Sequence, residues 1–340
     1  MSLRYEKNLV IPDDYNSELD LRETELAIKQ IKDHVEGQIA DTLNLTRVSA
    51  PLFVRHETGL NDDLNGVERP VSFDIADLKA NVEIVHSLAK WKRMALARYG
   101  FRPGEGIYTD MNAIRRDETL DNLHSVYVDQ WDWEKIISKE QRNTDFLKEI
   151  VRELFSCLKR AENHLLRQYP GLQRKLPDNV YFLTAQELED MYPDLNPRDR
   201  ENAVCAEHKA VFVIGIGQNL RSGMPHDGRA PDYDDWQLNG DLLFWYPTLE
   251  RAFEISSMGI RVDEESMKSQ LLQANCRDRR GYDFHRRVLE GTLPYTIGGG
   301  IGQSRLCMYF LDKAHIGEVQ ASVWPDEMIR DCEHNKIYLL

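Results

Sequence analysis

The sequence lacks the features that mark several large classes of protein. It has only five cysteines, and none of them forms a Cys-x-x-Cys pair, so neither a zinc site nor a redox motif is predicted. No apolar run approaches the ~20 residues that a membrane span needs. The first 20 residues contain no apolar signal-peptide core. These absences predict a cytoplasmic protein that is not associated with a membrane.

Basic residues are also in short supply. The chain has 43 Lys and Arg against 57 Asp and Glu, for a net charge of −14. An acidic surface repels phosphate backbones, so we expect no nucleic-acid partner. With 340 residues, 41% of them hydrophobic, the chain can build a full core. No repeat or linker is visible, so a single domain over residues 1–340 is predicted, with residues 1–17 as an N-terminal extension.

The apolar pattern favours an α+β fold. Apolar residues at steps of three and four predict helices at residues 18–44 and 144–168, and a further helix starts or bends near Pro197. Strands are predicted at residues 124–133, 211–216, 241–246 and 254–262, the last two as a hairpin. Residues 294–302 are predicted to form a glycine-rich turn that leads into a helix over 303–313. Helices interleaved with hairpins favour an antiparallel β-sheet flanked by helices.

A charged hairpin is the first candidate for chemistry. Arg115 is expected near the end of one strand and Gln130 along its partner. Period-two geometry places Gln130 and Asp132 on one face and the tryptophans on the other. A guanidinium can hold a phosphate and a carboxylate oxygen together, as attack of a carboxylate on an α-phosphate requires. A solvated hairpin with an aromatic core face is the alternative.

The second candidate is the glycine-rich segment that ends in Arg305. Glycines let the backbone approach a ligand closely, and the start of the following helix favours anions. The segment matches neither the dinucleotide-binding pattern nor the phosphate-binding loop of nucleotide hydrolases. A tight turn with an exposed arginine is the alternative.

Two acids and one basic segment form weaker signals. Asp241 and Glu254 each precede apolar strand residues, and such carboxylates commonly bridge Mg²⁺ to phosphates. Taken alone, they are better explained as surface acids at strand ends. The segment 87–93 contains Lys92, which could pair with a substrate carboxylate. A solvated basic helix end explains it equally well.

Two acidic stretches, at residues 61–63 and 230–236, contain Asp62 and Asp234. A substrate ammonium group needs such carboxylates, although clusters of this kind are more often solvated loops. The histidines at 86, 226 and 315 have no partner at ligand spacing, so we interpret them as structural.

In this order, the segments resemble the catalytic core of class II aminoacyl-tRNA synthetases. Residues 45–53 resemble its dimer-forming first motif, 115–134 its second and 298–305 its third, while 87–92 are similar to a substrate-binding segment of aspartyl-tRNA synthetases. Longer blocks resemble the asparagine synthetase A family of ammonia-dependent aspartate–ammonia ligases more closely. They lie at residues 85–93, 123–134, 229–236, 253–262 and 296–306.

This resemblance implies an ATP- and Mg²⁺-dependent homodimer with a class II synthetase-like fold. It would convert L-aspartate and ammonia to asparagine through β-aspartyl-AMP and release AMP and pyrophosphate. A class II tRNA-synthetase-like amino-acid-activating enzyme is the alternative. The absence of an anticodon-binding module and the acidic charge argue against it. A non-catalytic module that binds aspartate or nucleotide is a further alternative.

The resemblance also implies roles for individual residues. The catalytic set is Arg115, Asp62, Gln130 and Asp234. Aspartate would be bound by Ser87, Lys92, Asp132 and Ser257. The nucleotide would be bound by Arg115, Ser125, Asp241, Glu254 and Arg305, with Mg²⁺ on Asp241 and Glu254. Whether Asp62 or Asp234 handles ammonia stays open, as does the contact of Arg305 with an outer phosphate or with adenine.

Overall fold

The computed structural model describes residues 2–62 and 68–340 of the chain. Within these residues the strands form three sheets of two, eight and three strands. The strands are β1 Leu3–Glu6, β2 Leu9–Pro12, β3 Leu45–Arg47, β4 Phe53–Arg55, β5 Ser72–Ile75, β6 Ala80–Ile84, β7 Gly106–Ile114, β8 Tyr127–Ile136, β9 Tyr181–Thr184, β10 Ala210–Ile214, β11 Asp234–Tyr246, β12 Arg251–Arg261 and β13 Thr296–Gly302.

The helices follow the predicted apolar periodicity closely. They are α1 Leu21–Leu43, α2 Ala89–Tyr99, α3 Thr144–Gln168, α4 Ala185–Met191, α5 Pro197–His208, α6 Glu264–Gln273, α7 Asp283–Leu289, α8 Gln303–Phe310 and α9 Asp326–His334. Asp20 caps α1 and forms a capping box with Glu23, which places the start three residues later than predicted. Pro197 is a first-turn residue of α5, so it starts the helix and does not bend it. No helix in residues 2–62 and 68–340 is long and apolar enough to cross a membrane.

The eight-stranded sheet has the order β3-β7-β8-β13-β12-β11-β10-β9. Every neighbouring pair among its six central strands, β7-β8-β13-β12-β11-β10, is antiparallel. The outer strands β3 and β9 each pair in parallel with their neighbours. The predicted α+β class with a largely antiparallel sheet is therefore confirmed. The predicted hairpin is also present, as β11 and β12.

The main hydrophobic core lies between this sheet and the long helices α1 and α3. The tryptophans of β8, Trp131 and Trp133, are 2% and 0% exposed and belong to this core. Because side chains alternate along a strand, Gln130 and Asp132 point to the opposite face of the sheet, as predicted. The amphipathic stripes of the two helices thus cover one face and leave the other for a site.

Residues 296–302 form a central strand, and the predicted glycine-rich turn is wrong. The register places Gly298 opposite Glu134 and Gly300 opposite Asp132. A Cβ atom at Gly298 would lie 2.1 Å from Glu134 Oε2, so glycine is required by a close approach between strands. None of the glycines at 298, 299 and 300 has a positive φ. Turn propensity therefore misled the prediction, because the constraint comes from neighbouring strands.

The N-terminal extension packs into the fold. β1 and β2 form an antiparallel hairpin, and Leu9, Ile11 and Tyr15 share a cluster with residues of the C-terminal region. Tyr15 Oη donates to Glu318 Oε1 at 3.0 Å. Glu318 Oε2 also accepts from the backbone N–H of His315. These contacts bury a carboxyl group between the two ends of the chain.

Replacement of Glu318 by Gln should make stability less dependent on pH. Burial raises the pKa of Glu318 from 4.5 to about 7. The folded protein then binds the proton more tightly than the unfolded chain does, so this group's contribution to stability is lost as pH rises between these values. In urea unfolding, the free energy of unfolding of the variant relative to the wild type should rise by up to roughly 3 kcal/mol between about pH 5 and pH 8.

Glu327→Gln serves as the control, because Lys7 lowers the pKa of that exposed carboxyl and keeps it ionised over the whole interval. Stability curves of Glu318→Gln and wild type that run parallel with pH would contradict the expectation.

Candidate active site

A cleft of about 450 Å³ opens on the face of the large sheet opposite α1 and α3. Its floor is formed by β8, β13 and β12, and its walls come from the loops around Asp62, Arg115 and Arg229. All the predicted site residues except Lys92 and Asp241 line it. These are Asp62, Ser87, Arg115, Ser125, Gln130, Asp132, Asp234, Glu254, Ser257 and Arg305. The structure thus brings residues from across the sequence to one place.

Glycines in β13 make room for the polar side chains of the floor. A Cβ atom at Gly300 would lie 2.4 Å from Gln130 Oε1. At Gly298 it would lie 2.5 Å from Arg261 Nη2 as well as against Glu134. The side chains of the two flanking strands therefore extend across the backbone of β13, which large residues would prevent.

Lys92 is fully buried and does not line the cleft. Its Nζ donates to Asp132 Oδ1 and to the Trp133 carbonyl at 2.8 Å, and lies 3.7 Å from Glu134 Oε2. In the structure Lys92 therefore binds Asp132 from the buried side of the cleft floor. Its contact with a substrate carboxylate stays a prediction.

Arg261 is a cleft residue that the sequence analysis missed. Its Nη2 donates to Glu134 Oε2 at 2.8 Å, and its Nη1 donates to Asp234. Burial opposes the charge of Arg261, but Glu134 and Asp234 outweigh it and raise its pKa. Burial would likewise raise the pKa of Glu134, but Arg261 and Lys92 lower it. Arg261 follows Ser257 at an even sequence spacing, so both side chains lie on one face of β12. This spacing could have indicated Arg261 as a site residue.

Arg115 directly follows β7 at the rim of the cleft. Its backbone N–H donates to the Val126 carbonyl at 2.8 Å, which fixes the chain where the side chain emerges. Its Nη1 lies 3.8 Å from Glu118 Oε2. Its buried Nε has no hydrogen-bond partner among the described residues. A buried donor without an acceptor is costly, so this guanidinium suits an anionic ligand.

Arg305 lies in the first turn of α8, at the other end of the floor. Its Nη1 donates to the Glu254 carbonyl at 3.2 Å and lies 3.6 Å from Glu254 Oε2. The predicted anion site at the helix start is partly filled already, because Asp129 accepts from the Ser304 backbone N–H at 3.1 Å. The Arg305 side chain therefore offers donors to the cleft, whereas the helix terminus is partly occupied by Asp129.

Asp241 does not itself line the cleft, but it accepts a hydrogen bond from Arg229, a lining arginine whose role the sequence did not predict. Arg229 Nη2 donates to Asp241 Oδ1 and its Nη1 to Ser257 Oγ, both at 2.6 Å. Burial opposes the charge of Arg229, but Asp241 and other acids raise its pKa. The register pairs Asp241 with Ser257 and Leu243 with Glu254, which puts both acids on one face of the sheet.

Asp62 is buried at 2% exposure beside His86. The Asp62 carbonyl lies 2.9 Å from His86 Nδ1, and Asn61 Oδ1 accepts from the His86 backbone N–H. Burial lowers the pKa of His86, which favours the neutral imidazole. These contacts agree with a structural role for His86, although its side chain also lines the cleft. Asp63, the last residue of this acidic stretch, lies outside the described residues.

The second acidic stretch, residues 230–236, is buried and is not a solvated loop. Asp232 Oδ2 accepts from Lys90 Nζ at 3.1 Å and from Arg279 Nη1 at 2.9 Å, and His285 Nε2 also lies at 2.9 Å. Burial opposes ionisation of Asp232, but these partners hold its pKa far below the usual range. The cluster fixes the segment that carries Asp234 into the cleft.

Replacement of Gly300 by Ala should disable the site without unfolding the protein. The new Cβ would contact the far end of the Gln130 side chain, which can move. A displacement of about 1 Å in a positioning group costs roughly 10²-fold in rate, so we expect a loss of about ten- to a hundredfold. Steady-state kinetics and a melting curve measure the two effects.

Gly37→Ala in α1 is the matched control, because a Cβ there has no atom within 4 Å. It should keep full activity and a slightly higher melting temperature. Normal activity in Gly300→Ala would mean that the position of Gln130 does not matter.

Solved structures share this fold. The chain superposes on asparaginyl-tRNA synthetase from Pyrococcus horikoshii complexed with asparaginyl-adenylate with a TM-score of 0.65, at 16% identity, over 89% of this chain and 70% of that one. Asparaginyl-tRNA synthetase from Entamoeba histolytica gives 0.64 at 13% identity, over 88% and 67%. The class II synthetase-like fold is therefore confirmed.

Sequence relatives are much closer. The chain is 63% identical to aspartate–ammonia ligase of Ruminiclostridium cellulolyticum over 98% of this chain and 99% of the relative. It is 62% identical to that of Clostridium tetani over the full length of both. The sequence model of the aspartate–ammonia ligase family matches residues 22–336. The resemblance inferred from the motifs is thereby confirmed, and the chain belongs to the aspartate–ammonia ligase family.

Proposed function

We propose that this chain is an aspartate–ammonia ligase that uses ATP to join ammonia to the side-chain carboxylate of L-aspartate. The observation that carries the proposal is a cleft in which Arg115, with an unsatisfied donor, shares the space with buried carboxylates. The names of relatives at about 60% identity over nearly the whole chain support the same reaction.

Activation of the carboxylate is the chemical problem. A carboxylate reacts poorly with ammonia because oxide is a poor leaving group, whereas transfer of AMP to the carboxylate gives a good one. The intermediate is β-aspartyl-AMP, and pyrophosphate leaves. Arg115 would contact the α-phosphate and the attacking carboxylate together and stabilise charge that builds up in the transition state. Arg305 would hold the outer phosphates or stack on adenine. Ser125, in the wall that residues 123–125 form, would contact the nucleotide.

The floor of the cleft supplies contacts for aspartate. Gln130 and Asp132 point from β8 into the cleft, with Ser87 and Ser257 at its sides. Arg261 also reaches the cleft and can pair with a carboxylate of the substrate. Lys92 supports this arrangement through its bond to Asp132.

Mg²⁺ would be held by Asp241 and Glu254. Their oxygens are the ligand type that Mg²⁺ prefers, and both acids lie on one face of the sheet. Two carboxylates fit a cation that takes its other ligands from phosphates and water. In the structure Arg229 binds Asp241 and Arg305 lies beside Glu254. Phosphates of a bound nucleotide would offer both arginines alternative partners. When bound, the cation neutralises phosphate charge.

Ammonia needs a site that binds ammonium and accepts a proton. Asp62 and Asp234 both line the cleft and are nearly fully buried. Asp234 already accepts a hydrogen bond from Arg261. Burial raises the pKa of Tyr233 in the lining of the cleft, and the charges of Asp62 and Asp234 both raise it further. Either carboxylate can bind ammonium electrostatically and remove one of its protons, and the ammonia formed then attacks through its lone pair.

The assembly that we propose is a homodimer. The strand β4 and its neighbours carry Phe53 and Phe73, which are 39% and 40% exposed and contact each other edge to face at 5.3 Å. Leu52 beside them is 49% exposed. These side chains lie in and near the segment that resembles the dimer-forming motif, and an apolar patch of this kind suits an interface.

The reaction products test the proposed function directly. With ATP, Mg²⁺, aspartate and ammonium, the purified protein should form asparagine and release AMP and pyrophosphate in equal amounts. Release of ADP and phosphate would instead indicate a β-aspartyl phosphate and exclude the adenylate. Charging of tRNA in place of asparagine synthesis would support the amino-acid-activating alternative.

Arg115→Ala should abolish most turnover in a folded protein. Loss of one transition-state donor lowers kcat by roughly 10²- to 10³-fold. Arg221→Ala is the control, because Arg221 is 72% exposed and pairs with Asp190 on the surface. A near-normal rate for Arg115→Ala would remove Arg115 from the chemistry.

A further inference from the structure

The hairpin of β1 and β2 has no place in the reaction described so far. The family's sequence model begins at residue 22, after the hairpin, whereas the Clostridium tetani relative aligns over the whole chain. The hairpin thus lies outside the part of the chain that the family's sequence model matches.

Asn122 connects the hairpin to the cleft. The Val10 backbone N–H donates to Asn122 Oδ1 at 2.7 Å, and Asn122 Nδ2 donates to the carbonyls of Val10 and Ala314, each at 2.8 Å. The Asn122 carbonyl accepts from the Ile316 N–H at 2.8 Å. At 1% exposure, this residue links three segments in the interior.

The residues next to Asn122 form a wall of the cleft. Leu123, His124 and Ser125 line it directly. The Asp121 carboxylate accepts from the backbone N–H groups of Leu123 and His124 at 2.7 and 2.8 Å, so this turn is held tightly on both sides of Asn122. A shift of Asn122 would therefore carry the wall with it.

Tyr15 forms a second link on the opposite side of the same wall. Its hydroxyl donates to Glu318 and accepts from the Ala314 backbone N–H at 3.2 Å. The segment after Ala314 contributes Ile316 and Gln320 to the cleft. Both wall segments thus depend on contacts from residues 10–15.

The hairpin is also needed to satisfy buried groups. Without Val10, Asn122 Oδ1 would lose the N–H group that donates to it, and Nδ2 would lose one of its two acceptor carbonyls. A buried amide without partners is strongly disfavoured. The loop would then have to move towards water, away from the conformation that lines the cleft.

We infer that the N-terminal segment, residues 3–15, is a positioning element for the ATP-binding wall of the cleft, acting through the contact of Val10 with Asn122 and through Tyr15. The inference rests on the proposed function, which assigns ATP to the wall that contains Ser125. Asn122 lies behind that wall, so it positions other residues and is not itself catalytic.

Two variants of Asn122 test the inference. Asn122→Leu removes the whole carboxamide, and Asn122→Asp keeps the Oδ1 acceptor but loses the Nδ2 donor. Both should raise the KM for ATP by roughly tenfold, with the KM for aspartate changed by less than about twofold. In the aspartate variant the new carboxylate would face the carbonyls of Val10 and Ala314 without a proton to donate. Tyr15→Phe should act in the same direction.

Arg4→Ala is the matched control within the hairpin. Arg4 donates hydrogen bonds to Asp13 and Asn335 on the exposed side, away from the Asn122 contacts, so its loss should leave the KM for ATP unchanged. If Asn122→Leu fails to fold, Asn122→Asp decides.

An unchanged KM for ATP in folded Asn122 variants, or an equal rise in both KM values, would overturn the inference. If the wild type makes no asparagine, the proposed function fails by itself. Calorimetric titration with ATP then tests the hairpin, with weaker binding in the Asn122 variants as the supporting result and equal binding as the overturning one.

Discussion

A buried chain of opposite charges under the cleft holds the site together. Lys92 contacts Asp132 and Glu134, Glu134 accepts from Arg261, and Arg261 donates to Asp234. Charges taken out of water are costly unless each is paired and hydrogen bonded. Lys92, Glu134 and Arg261 each contact two opposite charges, so loss of any one of them would take a partner away from two buried charges. The positions of Asp132 and Asp234 in the cleft follow from this chain.

The chain of charges in turn requires the glycines of β13. That strand lies between β8, which carries Glu134, and β12, which carries Arg261. The ion pair must cross it, and Gly298 is the point of crossing, where a side chain would overlap both partners. The same strand ends at the start of α8, which brings Arg305 to the cleft. One stretch of sequence thus provides room for buried charges within the strand and brings Arg305 to the cleft just after it.

Much of the fold was predictable from the sequence, because it rests on periodicity. The stripe of α3 and the alternation of β8 are local patterns, and both gave the correct element and the correct face. The prediction for the glycine segment was wrong because glycine favours turns by local preference. Here the glycines are required by the close approach of side chains from the neighbouring strands. Arg229 and Arg261 were missed since their partners are distant in sequence or on another strand. Lys92 was found, but its burial depends on packing that no local pattern reports.

The N-terminal segment shows the same limit. Its sequence carries no catalytic motif, yet Val10 meets Asn122 across more than a hundred residues of chain. Only the folded structure reveals that a peripheral hairpin and a wall of the cleft share one carboxamide. Buried ion pairs therefore fix the floor of the cleft, and the neutral hydrogen bonds of Asn122 fix one of its walls.

The most direct test of adenylate formation follows the oxygen atoms of the substrate. Aspartate labelled with ¹⁸O in its side-chain carboxylate is incubated with the protein, ATP, Mg²⁺ and ammonium, and the products are analysed by mass spectrometry. Attack of that carboxylate on the α-phosphate predicts one ¹⁸O atom in AMP and none in pyrophosphate. Unlabelled AMP, or label in inorganic phosphate, would contradict the account.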